Sequence, residues 1–125
     1  NPVSCAAALA VLRIIQRENL LEHARETGEY LRTGLRQLMQ RHPLIGDVRG
    51  AGLFNGVELV SDRDLRTPAV EKTTQVINRL KELGIFIGRT GTRDNVLKLR
   101  PPMVFARSHA DLLINNLEQA LGELE

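Results

Sequence analysis

The stretch Asn95-Val96-Leu97-Lys98-Leu99-Arg100-Pro101-Pro102-Met103 reads on a period of two. Val96, Lys98 and Arg100 fall on one side and Leu97 and Leu99 on the other, the alternation of a strand with one face in a core and the other presenting positive charge. Pro101 and Pro102 cannot donate to a ladder, and Pro101 drives Arg100 towards extended backbone, so the strand stops where its charged face emerges. Such a strand can hold an anion. The two cations can equally do no more than keep an edge strand in solution, and spacing alone favours that plainer reading.

Outward from this strand, helical and extended patterns interleave. Upstream, Ile85-Phe86-Ile87 reads as a short buried strand, and the loop from 88 to 95 can bring Arg89 or Arg93 near the cationic surface, although each taken singly fits a solvated loop better. Downstream, Ser108 and Asp111 are expected to cap a last helix burying Leu112, Leu113, Leu117, Ala120 and Leu121. Thr67-Pro68 reads as a cap-plus-proline start of a helix that turns Val70, Thr73, Ile77 and Leu80 inward and ends at Gly84. From Leu44 to Leu53, Gly50 and Gly52 punctuate two extended segments, the second running from Leu53 to Val60. That Gly-x-Gly is a structural turn, because no third glycine follows and a strand, not a helix, comes next. Leu20, Ala24, Leu31, Leu35 and Leu38 recur at helical spacing, with Glu22, Arg25, Glu29, Arg32 and Arg36 elsewhere on the cylinder. Asn1 and Pro2 open a first helix reaching Gln16 or Arg17, whose alanines suit packing on several sides and would bury Cys5. The fold predicted is α+β, a small, mostly antiparallel sheet of three to four strands covered by helices.

Composition bounds the function. A chain of 125 residues is one domain with enough core to fold without staples. Its single cysteine and three scattered histidines (His23, His42, His109) offer neither a disulfide framework nor zinc-like spacing, which suits a reducing, cytoplasmic setting. The net charge of +2 is spread along the helices and aromatics are few, so neither nucleic acid nor a membrane is an expected partner. The run from Val3 to Leu12 is too short to span a bilayer. The start at Asn1, without methionine or flank, suggests a piece of something longer.

The strings Asn1-Pro-Val-Ser-Cys-Ala6, Ile45-Gly-Asp-Val-Arg-Gly-Ala-Gly-Leu-Phe54, Gly56-Val-Glu-Leu-Val60 and Val96-Leu-Lys-Leu-Arg-Pro-Pro-Met103 come in an order that resembles the C-terminal part of class III pyridoxal-phosphate-dependent aminotransferases, end to end. The resemblance implies that residues 1–125 are the small domain of such an enzyme, with the helix over 1–17 leading in from a large pyridoxal-phosphate-binding domain upstream. It implies that the lysine bonding the cofactor and the other cofactor-binding and catalytic residues lie before Asn1, so this chain alone is inert. It also implies a homodimer when full length. Lys98 takes the position where family members usually carry the arginine that receives a substrate carboxylate, and with Arg100 it forms the substrate-binding pair implied here. An ammonium lacks the arginine's two-pronged fork but serves a phosphate as a compact charge.

That departure leaves three functions open. The first is transamination of an amine or amino acid. The alternative is elimination of phosphate from an amino-alcohol phosphate such as phosphoethanolamine, since the Lys-Leu-Arg-Pro-Pro-Met and Gly-Leu-Phe strings look closest to the ethanolamine-phosphate and phosphohydroxylysine phospho-lyase branch. The third is a non-catalytic interaction module of a multidomain protein.

Overall fold

The computed structural model describes residues 1–124. Helix α1 (Pro2–Arg17) begins as its first residues dictate: the Asn1 side-chain oxygen accepts the Val3 N–H at 2.9 Å, and Pro2 sits where a missing N–H costs nothing. The expectation that α1 is packed on several sides fails. None of its residues is buried, Cys5 is exposed, and α2 is the only element it touches among the described residues. Apolar sequence records a need for cover, not where the covering atoms come from.

Asn19, in the left-handed region at φ +50°, breaks the chain before α2 (Leu20–Arg41). Leu31, Leu35 and Leu38 form its fully buried stripe and Leu20 and Ala24 are half-buried, as the spacing predicts. Arg32, expected on the polar side, is buried instead.

Strands β1 (Ile45–Ala51) and β2 (Phe54–Asp62) form an antiparallel hairpin. Its turn contains Gly52 at φ +51°, the left-handed conformation that glycine adopts most readily. The expected helix start at Thr67-Pro68 is instead a two-residue strand, β3 (Thr67–Pro68), paired with β2. The Ala69 N–H donates to the Leu59 carbonyl at 3.1 Å, so the sheet claims this backbone before a helix can begin. Helix α3 (Val70–Glu82) buries Thr73, Val76 and Leu80 and half-buries Ile77, while Val70 stays outside the core; Gly84, at φ +82°, follows its end as expected.

Ile85-Phe86-Ile87 is not a strand. Pairing starts at β4 (Gly88–Thr90), and Phe86 is 79% exposed. Strand β5 (Val96–Leu99) completes a path ordered β1-β2-β5-β4, antiparallel throughout. Helix α4 (Arg107–Gly122) starts after Ala106, whose N–H donates to His109 Nδ1; Ser108 lies inside the helix and Asp111 accepts the Tyr30 hydroxyl at 2.6 Å. Four of the five positions expected inside are buried, and Leu112 is not. Ala110 joins Leu113, Leu117, Ala120 and Leu121 inside, and Leu112 is 55% exposed.

The class is α+β, as expected. Leu97, Leu99, Val57 and Leu59 meet leucines of α2, α3 and α4 in one core, and α2 and α4 pack directly on each other. No described helix is long and apolar enough to cross a membrane.

Candidate functional site

The period-two reading of β5 holds in three dimensions. Leu97 and Leu99 are buried against the helices, whereas Lys98 is half-buried and Arg100 exposed on the opposite face. The register decides what surrounds Lys98. It pairs with Gly56 of β2 on one side and Gly88 of β4 on the other, so neither neighbouring strand puts a side chain beside it. A β-carbon on Gly88 would come to 3.9 Å from Lys98 Cε, ordinary contact, so the lysine stem leans into room that the glycines leave. Lys98 borders two openings. One, of about 630 Å³, has Ile85, Phe86, Arg100, Phe105 and His109 in its wall; the other, of about 400 Å³, has Arg49, Phe54, Gly56 and Thr90.

Charge on this face is divided between spent and available cations. Arg49 pairs with Gly56, so it lies in the same cross-strand row as Lys98, but its Nη1 donates at 2.6 Å to both Asp47 and Glu58. Those carboxylates face each other across β1 and β2, an arrangement that repels unless a cation bridges it. The bridging hydrogen bonds, to Asp47 first and Glu58 second, push the Arg49 pKa up. Lys98 has no hydrogen-bond or ion-pair partner among the described residues. Arg100 has no carboxylate partner among them either; its guanidinium lies 5.9 Å from the centre of the Phe54 ring, within cation–π range. The two cations singled out from the sequence are thus left facing solvent, with their charge free for a ligand.

The other candidates are engaged elsewhere. Arg89 pairs with Leu97 on the helix side of the sheet, donating to the Thr74 hydroxyl at 2.8 Å and lying 3.9 Å from Asp94, so it does not join the cationic face. Arg93 is exposed in the β4–β5 turn. Lys72 donates to the Leu124 carbonyl at 3.0 Å, and Lys81 is exposed at the end of α3. His23 Nε2 lies 2.9 Å from the Phe105 carbonyl, which can only accept, so that nitrogen carries the proton. Phe54, Gly56, Gly88 and Arg49 were not singled out by sequence reasoning as parts of this site. The alternation of β5 tells which residues share a face, but their neighbours depend on strand order and register, which no local pattern encodes.

Residues 1–121 match the model of the family "Aminotransferase class-III". This chain belongs to the class-III aminotransferases. Among members, it is 45% identical over 124 residues to an Arabidopsis thaliana protein named alanine–glyoxylate aminotransferase 2 homolog 2, mitochondrial, covering 99% of this chain and 26% of that protein. It is 41% identical over 122 residues to ethanolamine-phosphate phospho-lyase homolog 1 of Caenorhabditis elegans, covering 97% of this chain and 26% of that one. A solved phospholyase from Arthrobacter in complex with phosphoethanolamine superposes with a TM-score of 0.94 at 46% identity, over 100% of this chain and 30% of that structure. The chain therefore spans under a third of these class-III relatives. Enzymes of the family use pyridoxal phosphate. What the domain offers is a wall with two free cations.

Proposed function

We propose that the chain is the small domain of a full-length pyridoxal-phosphate enzyme that transfers an amino group from an amine or amino acid, and that Lys98 holds the substrate's anionic end. The observation that supports this most is Lys98 standing between Gly56 and Gly88 without a hydrogen-bond or ion-pair partner among the described residues. In this reading the cofactor supplies the electron sink for chemistry at the substrate carbon. This chain's residues bind and orient: Lys98 fixes the anion, Arg100 adds a second charge, and Ile85, Phe86 and Phe105 limit water on one side. Positioning of this kind lowers the barrier by fixing geometry before reaction. The domain alone is inert. The full-length enzyme is a cytoplasmic homodimer whose large domain faces the Lys98 side of the sheet.

A second reading, elimination of phosphate from an amino-alcohol phosphate, is favoured by the lysine itself. A lysine suits a phosphate where a forked arginine suits a carboxylate, and the superposed Arthrobacter enzyme carries phosphoethanolamine. The test is a product assay on the full-length enzyme. Conversion of a keto acid to an amino acid without phosphate release supports transamination; release of inorganic phosphate and ammonia from phosphoethanolamine supports elimination. Neither reaction, with the cofactor lysine missing upstream, would leave a non-catalytic module.

A further inference from the structure

We propose that Arg32, in the buried layer behind the sheet, is a positioning residue that sets where the Arg100 charge stands on the open face. The inference rests on Lys98 and Arg100 forming the anion site, and it adds a residue for which the sequence pattern offers no signal.

The side chain of Arg32 is 8% exposed. From α2 its Nη1 donates at 2.9 Å to both the Gly52 carbonyl and Asn55 Oδ1, and its Nη2 donates at 2.7 Å to Glu29. Asn55 is itself 2% exposed and donates its amide to the same Gly52 carbonyl at 3.1 Å. One helix turn before Arg32, Gly28 lets the hairpin turn approach so closely that a β-carbon there would lie 1.9 Å from the Gly52 oxygen. Gly28 admits the turn and Arg32 grips it. Helix interiors seldom bury an arginine unless it is hydrogen-bonded, and this one spends Nη1 on the hairpin turn and Nη2 on Glu29 of its own helix.

The gripped segment leads straight to Phe54, the next residue after Leu53 and the neighbour of Asn55. Extending the β2–β5 register by one pair from Asn55–Leu99 sets Phe54 opposite Arg100. Phe54 is 60% exposed, and its role within the chain is to lie beneath that guanidinium. The path from the buried helix to the substrate face is therefore Arg32, the Gly52 carbonyl and Asn55, Phe54, then Arg100. Each link is a direct contact or a peptide bond. Loss of the grip frees the turn, shifts the Phe54 ring and lets the Arg100 side chain wander while Lys98, held by the ladder, stays in place.

The experiment is steady-state kinetics and thermal melting of the full-length holoenzyme, with whichever of phosphoethanolamine or alanine it turns over. The variants are Arg32→Met, Arg32→Lys, Phe54→Leu, the Arg32→Met/Phe54→Leu double variant and Lys98→Gln. Expected for Arg32→Met is a KM raised roughly tenfold with kcat within about twofold, partial recovery in Arg32→Lys, and a double variant no worse than the worse single, since both act through one contact. An Arg32→Met enzyme that melts earlier at unchanged KM, while Lys98→Gln raises KM, overturns the proposal and leaves the anion site standing. An unchanged KM in Lys98→Gln removes the site and the proposal together. Should Arg32→Met not fold, Arg32→Lys and Phe54→Leu decide alone: raised KM in both supports the path, and unchanged KM in either overturns it.

Discussion

Lys98 owes its availability to two residues that have no side chain. Replacing Gly88 with Ala brings a methyl to 3.9 Å from Lys98 Cε, a contact the structure accepts, so stability should change by no more than about 0.5 kcal/mol. Replacing it with Phe should close the room beside the ammonium and raise the substrate KM of the full-length enzyme about tenfold or more at similar stability, checked by kinetics alongside urea denaturation. Gly28 is the opposite case. Ala there gains roughly 1 kcal/mol of helix propensity, but its methyl would sit 1.9 Å from the Gly52 oxygen, backbone that cannot swing aside. Overpacking typically costs about 1–3 kcal/mol, so the expected outcome is net destabilisation and a lower urea midpoint, with the Arg32 hydrogen bonds disturbed.

At the scale of elements, the departures from sequence expectation share a cause. In α4 the apolar positions Leu112 and Leu113 are adjacent, and periodicity cannot choose between registers that bury one or the other. The start after Ala106 and the contact with α2 choose Leu113. Leu113→Ala should cost about 2–5 kcal/mol and Leu112→Ala under about 1, read by urea denaturation of the two variants; equal costs would mean the helix faces another way. Thr67-Pro68 is similar: a cap-and-proline pair and an edge-strand pair look alike in sequence, and the bond from Ala69 to Leu59 decides for the strand. Ile85-Phe86-Ile87 has the apolar character of a strand, but among the described residues no strand pairs with it, and Phe86 lines the larger opening beside Lys98.

Across the whole molecule, ion pairs tie helices together at the surface. Arg79 of α3 holds Glu123, just past α4, at 2.7 Å; within α2 alone, the buried Arg32 holds the exposed Glu29. Hydrogen bonds from these arginines keep both carboxyl pKa values below the ordinary range. A carboxyl whose folded pKa is depressed binds protons more readily in the unfolded chain. Its stabilisation is therefore present above the unfolded value, about 4.3, and is lost as pH falls through the lower folded value. The melting temperature should hold from pH 7 to about 5 and fall below about 4. Arg79→Gln should flatten part of that fall, checked by melting across the series; because these carboxylates are solvent-exposed, salt should weaken the effect.

The sequence by itself determined the α+β class, the first helix with its Asn1 cap, the turn glycines, the two-faced β5 strand and the family, because each rests on local periodicity, backbone chemistry or ordered motifs. Only the tertiary structure decided that Lys98 lies between two glycines, that Arg49 is consumed by Asp47 and Glu58 while Lys98 is not, and that Arg32 is buried behind the turn. Those facts depend on which strands become neighbours and at what register, and on how close two elements approach. Such relations join residues far apart in the chain, and no pattern within a single segment carries them.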